Sequence, residues 1–276
     1  MDRHATWAIT RKDLATVLRN KGVRTPLLAA PVIILIVMPL LLVGGGGALA
    51  TAGTVPLDDV AAAPFSQLGD PELQRQMTGA VPQGARWGVF VLEVFLAPLY
   101  LLVPLIVATV IAADSFAGER ERGTLEALLH TPTTDRELMT GKFLAAWLPA
   151  LTVSWVGFAV YSVLANALMW PALGRVFFPS LTWLLLAFWV TPAISALGLG
   201  IMVIASSRVN SLQAAHQVGS LVVLPIVLLL IVQITGTMLF APLVVTALGA
   251  LLWLSAALTM WLGSGSLRRQ ALAVRI

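Results

Sequence analysis

Long apolar runs alternate with short polar connections along the whole chain, and this pattern predicts membrane-spanning helices. Six apolar segments cover residues 27–44, 88–113, 143–169, 181–205, 218–235 and 239–262. A helix needs roughly 17–25 residues to cross a bilayer, so each segment is long enough. None of them alternates with the period of two that a transmembrane barrel requires. The pattern predicts an all-α, polytopic transmembrane helical bundle of six spans, in a single domain that covers residues 1–276.

The segment before the first span, residues 3–24, is predicted to form an amphipathic interfacial helix. On a helical wheel its apolar side chains gather on one side, although Arg11 intrudes there and makes the pattern moderate. Such a helix would lie in the inner headgroup layer, with Trp7 as an anchor. The candidate interfacial residues are Trp7, Arg11, Lys12, Leu14 and Leu18. The alternative interpretation is a plain basic topology signal.

The composition supports an integral membrane protein. Hydrophobic residues make up 58% of the 276 residues and charged residues only 11%, whereas a soluble domain carries roughly 25% charged residues. The formal net charge is +4, but the basic residues flank the apolar runs and form no single patch. This arrangement is typical of membrane topology signals and argues against a nucleic-acid partner. Since the chain has no cysteine, no disulfide or thiolate metal site is expected.

The basic residues also orient the chain. Fourteen of the seventeen fall before the first span, in the connections after the second and fourth spans, or after the last span, and only Arg75, Arg86 and Arg175 fall on the other side. Positively charged connections stay in the cytoplasm. The sequence therefore predicts a multi-pass protein of the plasma membrane with both termini in the cytoplasm.

The polar segment 114–142 lies between the second and third spans and is predicted to be a cytoplasmic loop. It holds six of the thirteen acidic residues and four of the seventeen basic ones, and unpaired charges are costly to bury in hydrocarbon. Leu125, Leu128 and Leu129 share one helical face by their i, i+3, i+4 spacing. The loop is therefore interpreted as a docking surface for another protein, or as an amphipathic helix that rests on lipid.

A second helix start is predicted inside this loop. Thr134 and Glu137 have the spacing of a capping box, in which each side chain bonds the backbone N–H of the other residue. A helix should begin there and continue through Gly141 and Lys142 into the third span.

The sequence motifs of several catalytic classes are missing. The chain contains no G-x-x-x-x-G-K-[ST], no H-E-x-x-H and no G-x-S-x-G, so no ATP site, zinc-protease site or serine nucleophile is predicted in it. We therefore expect no catalytic residue, no metal site and no cofactor in this chain.

Glu93 is the one carboxylate within an apolar run, and an intramembrane acid is a functional candidate. Along the helix, Glu93 lies only about 10 Å from Arg86. The simpler interpretation is that its side chain reaches the outer interface.

Small polar residues form a stripe along the third span. Ser154, Ser162 and Asn166 fall at four-residue multiples, and Tyr161 is adjacent to the stripe. They are candidates to line a translocation path, although such stripes more often mark helix–helix packing. The same two interpretations apply to a set in the fourth span, namely Thr191, Ser195, Gly198 and Gly200.

Residues 113–150 resemble the signature region of type-2 ABC exporter permeases of the sodium- and drug-export class. The motif that carries the resemblance is E-R-E-R-G-T-L-E-A-L-L at 119–129, followed by Pro132 and by Gly141-Lys142. The N-terminal W-A-I-T-R-K-D-L is similar to the usual opening of that family. Relative to many family members, the first external loop is small and the connection between the last two spans is short.

The resemblance implies a function and partners. A family member supplies the membrane half of an ABC transporter, pairs with a second permease subunit, identical or paralogous, and binds a separate ATPase subunit that holds ATP and Mg. The loop after the second span would be the coupling helix that docks on the ATPase. The docking residues so implied are Glu119, Arg120, Glu121, Arg122, Gly123, Thr124, Leu125, Glu126, Leu128 and Leu129. Two alternatives are an ion-coupled secondary transporter that uses Glu93 and a non-transporting membrane scaffold.

Overall fold

The computed structural model describes residues 21–51, 83–118, 134–206, 221–234 and 241–266, together with positions 7, 9–12, 15, 213 and 217. The regular structure of these residues is helical throughout, as the sequence predicted. Helix α1 (21–51) consists of Lys21–Val32, a π-helical turn Ile33–Val37 and Met38–Thr51. Helix α2 (83–118) consists of Gln83–Val89, the π-helical Phe90–Phe95, Leu96–Tyr100, Leu102–Ala113 and a final π-helical turn Asp114–Gly118.

The remaining helices follow in chain order. Helix α3 is Asp135–Leu173. Helix α4 (181–206) consists of Leu181–Leu185, the π-helical Leu186–Val190 and Thr191–Ser206. Helix α5 is Leu224–Ile234 and helix α6 is Pro242–Ser266.

Five stretches of the described helices are long and apolar enough to cross a membrane: Arg24–Gly46, Gly84–Ala113, Glu137–Leu173, Leu181–Ser206 and Pro242–Gly263. They coincide with five of the six predicted spans. The predicted span 218–235 contains α5, which has 11 residues, and part of that span lies outside the described residues. The total of six spans stays a prediction.

The predicted capping box is present at the start of α3. The Thr134 hydroxyl oxygen accepts from the Glu137 N–H at 3.4 Å, and Glu137 Oε2 accepts from the Thr134 N–H at 3.0 Å. The helix then runs through Lys142 into the third span without a break. It ends at Gly174, whose φ of 63° is left-handed, a conformation that glycine adopts at helix ends without steric cost.

Helix α2 lies at the centre of the bundle and packs against α1, α3, α4 and α5. Nine of the twelve residues in Leu102–Ala113 are buried. Helix α6 lies at the periphery against α4, and Leu243, Leu254 and Trp261 on it are 82%, 70% and 72% exposed.

Helices α4 and α6 run in the same direction. Trp189 Nε1 on α4 donates to the Thr246 carbonyl of α6 at 3.2 Å. Gly200, eleven residues further along α4, lies against Thr259 of α6. Because the contact moves toward higher residue numbers on both helices, the two helices are parallel. The small residue Gly200 lets them approach closely, which confirms the helix-packing interpretation for this position.

Replacing Gly200 with alanine is expected to destabilise the bundle by about 1–3 kcal/mol, the usual cost of overpacking. The added Cβ would lie 2.9 Å from Thr259 Cβ and 3.3 Å from the Met260 backbone nitrogen, so α4 and α6 would have to separate. Thermal unfolding of the purified protein measures the effect. Gly44→Ala is the matched control, because nothing lies within 4 Å of a Cβ there. Equal unfolding midpoints for both variants would contradict the proposed close contact.

Candidate functional site

Three parts of the chain meet at Gly141 and Lys142, near the start of α3. The Lys142 ammonium donates to the Ser115 carbonyl at the end of α2 at 2.7 Å. The Thr10 hydroxyl of the N-terminal segment donates to the Gly141 carbonyl at 3.1 Å. Thr10, Ser115 and Lys142 are all buried. We define the inner junction as Thr10, Gly141, Lys142, Ser115 and the buried Asp114.

The local structure explains why a lysine is placed here. Ser115 belongs to the last turn of α2, Asp114–Gly118, and the final carbonyls of a helix have no partner within it. A lysine near a helix C-terminus can bond these carbonyls and interact favourably with the helix dipole. Lys142 is only 2% exposed, and a buried ammonium is tolerated only when it is hydrogen-bonded. The contact therefore ties the start of α3 to the end of α2.

The predicted docking loop begins and ends near the inner junction. Residues 119–133 connect the end of α2 to the start of α3, so both ends of this loop are held by one polar cluster. The docking residues predicted between Glu119 and Leu129 lie outside the described residues. Their role stays a prediction.

The N-terminal segment is described at a few helical positions. Trp7 is 61% exposed, and Arg11 and Lys12 are also exposed, whereas Thr10 is buried against α3. An exposed tryptophan is available to the headgroup layer, but Leu14 and Leu18 lie outside the described residues. The interfacial helix therefore stays a prediction.

A buried aromatic cluster lies toward the other end of the bundle. It consists of Tyr100, Phe158, Tyr161, Phe178 and Trp183. The Trp183 ring lies 5.0 Å from Tyr161, 4.9 Å from Phe178 and 5.5 Å from Tyr100, between ring centroids. Tyr161 follows Lys142 by nineteen residues of α3, which is about 28 Å of helix and close to the roughly 30 Å of a hydrocarbon core. Tyr161 and Lys142 are therefore separated along α3 by about the thickness of a hydrocarbon core.

The cluster is bonded to the π-helical turn of α2. Tyr161 Oη donates to the Leu92 carbonyl at 2.7 Å, and Trp183 Nε1 donates to the Glu93 carbonyl at 3.1 Å. A π turn alters the regular backbone pattern and leaves carbonyl oxygens for side-chain donors. One side chain each from α3 and α4 is thus anchored to adjacent carbonyls of α2.

Glu93 is buried by protein, with 5% of its surface exposed. Its Oε2 accepts from the Ser180 hydroxyl at 3.0 Å, at the end of the connection between α3 and α4. The carboxylate therefore lies beside that connection and is buried. The distance from Arg86 along the chain did not predict this burial.

Asn166 holds the connection between α3 and α4 in place. Its Oδ1 accepts from the backbone N–H groups of Phe177 and Phe178, at 3.0 and 3.2 Å. Its Nδ2 donates to the Phe178 carbonyl at 2.7 Å and to the Ser162 carbonyl at 2.8 Å. The amide therefore fixes Phe178 within the aromatic cluster.

The other candidate path residues also make bonds inside the bundle. The Ser154 and Ser162 hydroxyls donate to carbonyls four residues earlier in α3, at 2.6 and 2.8 Å. Ser154 and Tyr161 are fully buried, with no exposed surface. The structure thus brings Tyr161 and Asn166 together at the aromatic cluster, and the Ser154 carbonyl accepts from the Tyr100 hydroxyl of the same cluster at 3.4 Å. A role for the four residues in a translocation path stays a prediction.

The structural roles of two residues that organise these sites, Lys142 and Trp183, were not predicted from the sequence, although Lys142 belongs to the motif given above. The signal for Lys142 was a single charge at the edge of an apolar run, and for Trp183 it was an aromatic residue in the first turn of a span. Neither signal identifies a partner, because Lys142 bonds a residue 27 positions away and Trp183 one 90 positions away.

The chain matches a known family over most of its length. A family model described as ABC-2 family transporter protein matches residues 7–248, which include the inner junction and the aromatic cluster. No curated protein matches the chain closely enough to be reported as a relative. Together with the five described helices that can cross a membrane, the match shows that this chain belongs to the ABC-2 family of transporter proteins and is a multi-pass membrane permease.

Proposed function

We propose that this chain is the permease subunit of an ABC exporter, and that a separate ATPase subunit drives it by hydrolysing ATP with Mg. The observation that carries the proposal is the family match over residues 7–248. The missing Walker A motif is consistent with an imported energy source. The likeness of residues 113–150 to the sodium- and drug-export class supports export as the direction of transport.

The loop 119–133 is the proposed docking site for the ATPase. Leu125, Leu128 and Leu129 would sit in a groove of the partner, since burial of an amphipathic helix in a groove provides affinity. The flanking Glu and Arg residues would set register and partner choice. The inner junction supports this assignment, because a force applied to the loop would reach α2 and α3 together through the Lys142–Ser115 bond.

The proposed topology has six spans, with both termini and the docking loop on the cytoplasmic face of the plasma membrane. The parallel direction of α4 and α6 supports it, because the chain must cross back between them, within residues 207–241. The excess of basic residues on one side supports the orientation. A second permease subunit, identical or paralogous, would complete the transporter.

Replacing both Leu125 and Leu128 with aspartate tests the docking proposal. The tagged chain is purified from its native membrane, and the copurifying ATP hydrolysis is measured per permease. We expect at least a tenfold loss, because two charges would have to enter an apolar groove. Val176→Asp is the control, since Val176 is 66% exposed and lies in the connection between α3 and α4. If the double variant retains the ATPase in the wild-type ratio, the docking assignment is wrong.

The buried Glu93 favours one alternative, an ion-coupled secondary transporter that works without an ATPase. Its carboxylate is protein-enclosed, as expected of an intramembrane coupling site. Transport by the purified chain in liposomes, driven by an ion gradient without ATP and abolished by Glu93→Gln, would establish this alternative in place of the ABC exporter.

A further inference from the structure

A groove of about 310 Å³ separates α1 from α3. Its walls are residues between Leu28 and Ile36 on α1 and between Thr152 and Val160 on α3. At its floor the two helices come close, because Gly157 has no side chain where Leu35 packs; a Cβ on Gly157 would lie 2.6 Å from Leu35 Cδ1. The groove is therefore a defined cleft between two membrane-spanning helices, at the lower end of the usual size of ligand sites.

The rim of the groove is exposed. Leu28 and Val32 on α1 are 54% and 47% exposed, and Val156 and Val160 on α3 are 62% and 44% exposed. Both helices are long and apolar enough to cross a membrane, so this rim lies at the depth of the hydrocarbon.

The lining offers nothing to a polar ligand. Among the lining residues Thr152 alone has a polar side chain, and its hydroxyl donates to the Leu148 carbonyl of its own helix at 2.5 Å. A polar solute placed here would lose hydrogen bonds to water without replacement. The lining therefore favours an apolar ligand.

The length of the groove and the nearby Arg24 indicate what kind of apolar ligand this is. From Leu28 to Ile36 the groove follows α1 for about 12 Å, slightly less than the roughly 15 Å of one leaflet's hydrocarbon. Arg24, which is exposed, lies one turn before Leu28 on the same helical face. The span itself begins at Arg24, so its guanidinium lies at the depth of the lipid headgroups.

We propose that this groove binds one membrane phospholipid with an anionic headgroup, its acyl chain between α1 and α3 and its phosphate beside Arg24. A guanidinium pairs with phosphate through two parallel hydrogen bonds. The acyl chain fills the gap that these neighbouring helices leave. The proposal goes beyond the transport function and does not depend on the ATPase.

Native mass spectrometry of the purified chain tests the site. The protein is delipidated and then incubated with equal amounts of phosphatidylglycerol and phosphatidylethanolamine. We expect one retained phospholipid per chain, with phosphatidylglycerol preferred about fivefold, the factor that one basic residue provides next to an anionic headgroup. Equal retention of both lipids by the wild-type chain would overturn the headgroup assignment.

Variants separate the acyl site from the headgroup site. Val156→Trp fills the groove and should reduce lipid retention at least tenfold, and Val32→Trp, on the opposite wall, should do the same. Leu254→Trp on α6, at a position 70% exposed, is the matched control and should retain the lipid. Arg24→Gln should keep one bound lipid and lose the preference for phosphatidylglycerol.

Three outcomes contradict the proposal. The first is wild-type lipid retention in both groove variants. The second is a preference for phosphatidylglycerol that persists in Arg24→Gln. The third is a groove variant that changes the oligomeric state while its lipid retention is unchanged, which would assign the groove to a second copy of the chain. Each variant is compared with the wild type in thermal unfolding, so that a loss of folding is recognised.

Discussion

Replacing Lys142 with methionine is expected to lower the free energy of unfolding by about 2 kcal/mol and to stop ATP-driven movement in the transporter. Lys142 Nζ donates to the buried Ser115 carbonyl at 2.7 Å, and a hydrogen bond that involves a charged group contributes roughly 1.5–3 kcal/mol. Methionine keeps the apolar stem and removes the ammonium. The start of α3 would then no longer be tied to the end of α2, and a movement of the loop between them would not reach both helices together.

The movement can be measured at the opposite end of the bundle. Since the chain has no cysteine, cysteines introduced at Val176 and Leu243 carry the only spin labels; both positions are exposed, by 66% and 82%. In the complex with the ATPase, we expect ATP with vanadate to change the distance between the labels. In Lys142→Met this change should be absent although the ATPase still copurifies.

Lys142→Arg is the conservative control for this experiment. It keeps the charge and the donors, so the distance change should be restored. If Lys142→Met shows the wild-type change, the inner junction does not transmit the movement. If no ATPase copurifies with the wild-type chain, the proposed function itself is wrong, and the two failures are thereby distinguished.

Replacing Trp183 with alanine is expected to cost about 3–5 kcal/mol of stability, the range for removing a buried aromatic side chain. Trp183 has no exposed surface, and its ring touches Tyr100, Tyr161 and Phe178. The change would leave a cavity between α2, α3 and α4 and would remove the donor to the Glu93 carbonyl. The free energy of unfolding, measured by titration with a denaturing detergent, reports the loss.

Two variants calibrate this result. Trp183→Phe keeps one aromatic ring but removes the N–H and part of the ring volume, so the loss should exceed the roughly 1 kcal/mol of one hydrogen bond and stay below that of Trp183→Ala. Trp170→Ala removes a tryptophan that is 54% exposed on α3 and should cost much less than Trp183→Ala. Comparable losses for Trp170→Ala and Trp183→Ala would show that the aromatic cluster does not hold the three helices together.

Features that depend on local rules were predictable from the sequence. About twenty consecutive apolar residues must form a helix in lipid, because every backbone polar group has to be satisfied within the segment. Five predicted spans therefore correspond to described helices. The capping box of Thr134 and Glu137 depends on a spacing of three residues, so its hydrogen bonds were also predictable.

The arrangement of the helices was decided by the tertiary structure. Lipid tails and the interior of a helical bundle are equally apolar, so hydropathy does not distinguish the central α2 from the peripheral α6. The same holds for the groove between α1 and α3, whose lining would look like any lipid-facing surface in the sequence. The π turns that leave the Leu92 and Glu93 carbonyls to Tyr161 and Trp183 are likewise set by packing.

The amino-acid sequence by itself determined that this chain is a multi-pass membrane protein, where five long apolar helices lie, and where α3 begins. Only the tertiary structure decided which polar groups that lie far apart in the chain meet. Lys142 and Ser115 are separated by 27 residues, and Asn166 reaches past the end of its own helix to Phe178. The physical reason is that a bilayer imposes its length and polarity on each segment separately, whereas a buried donor is paired only by the segment that packs against it.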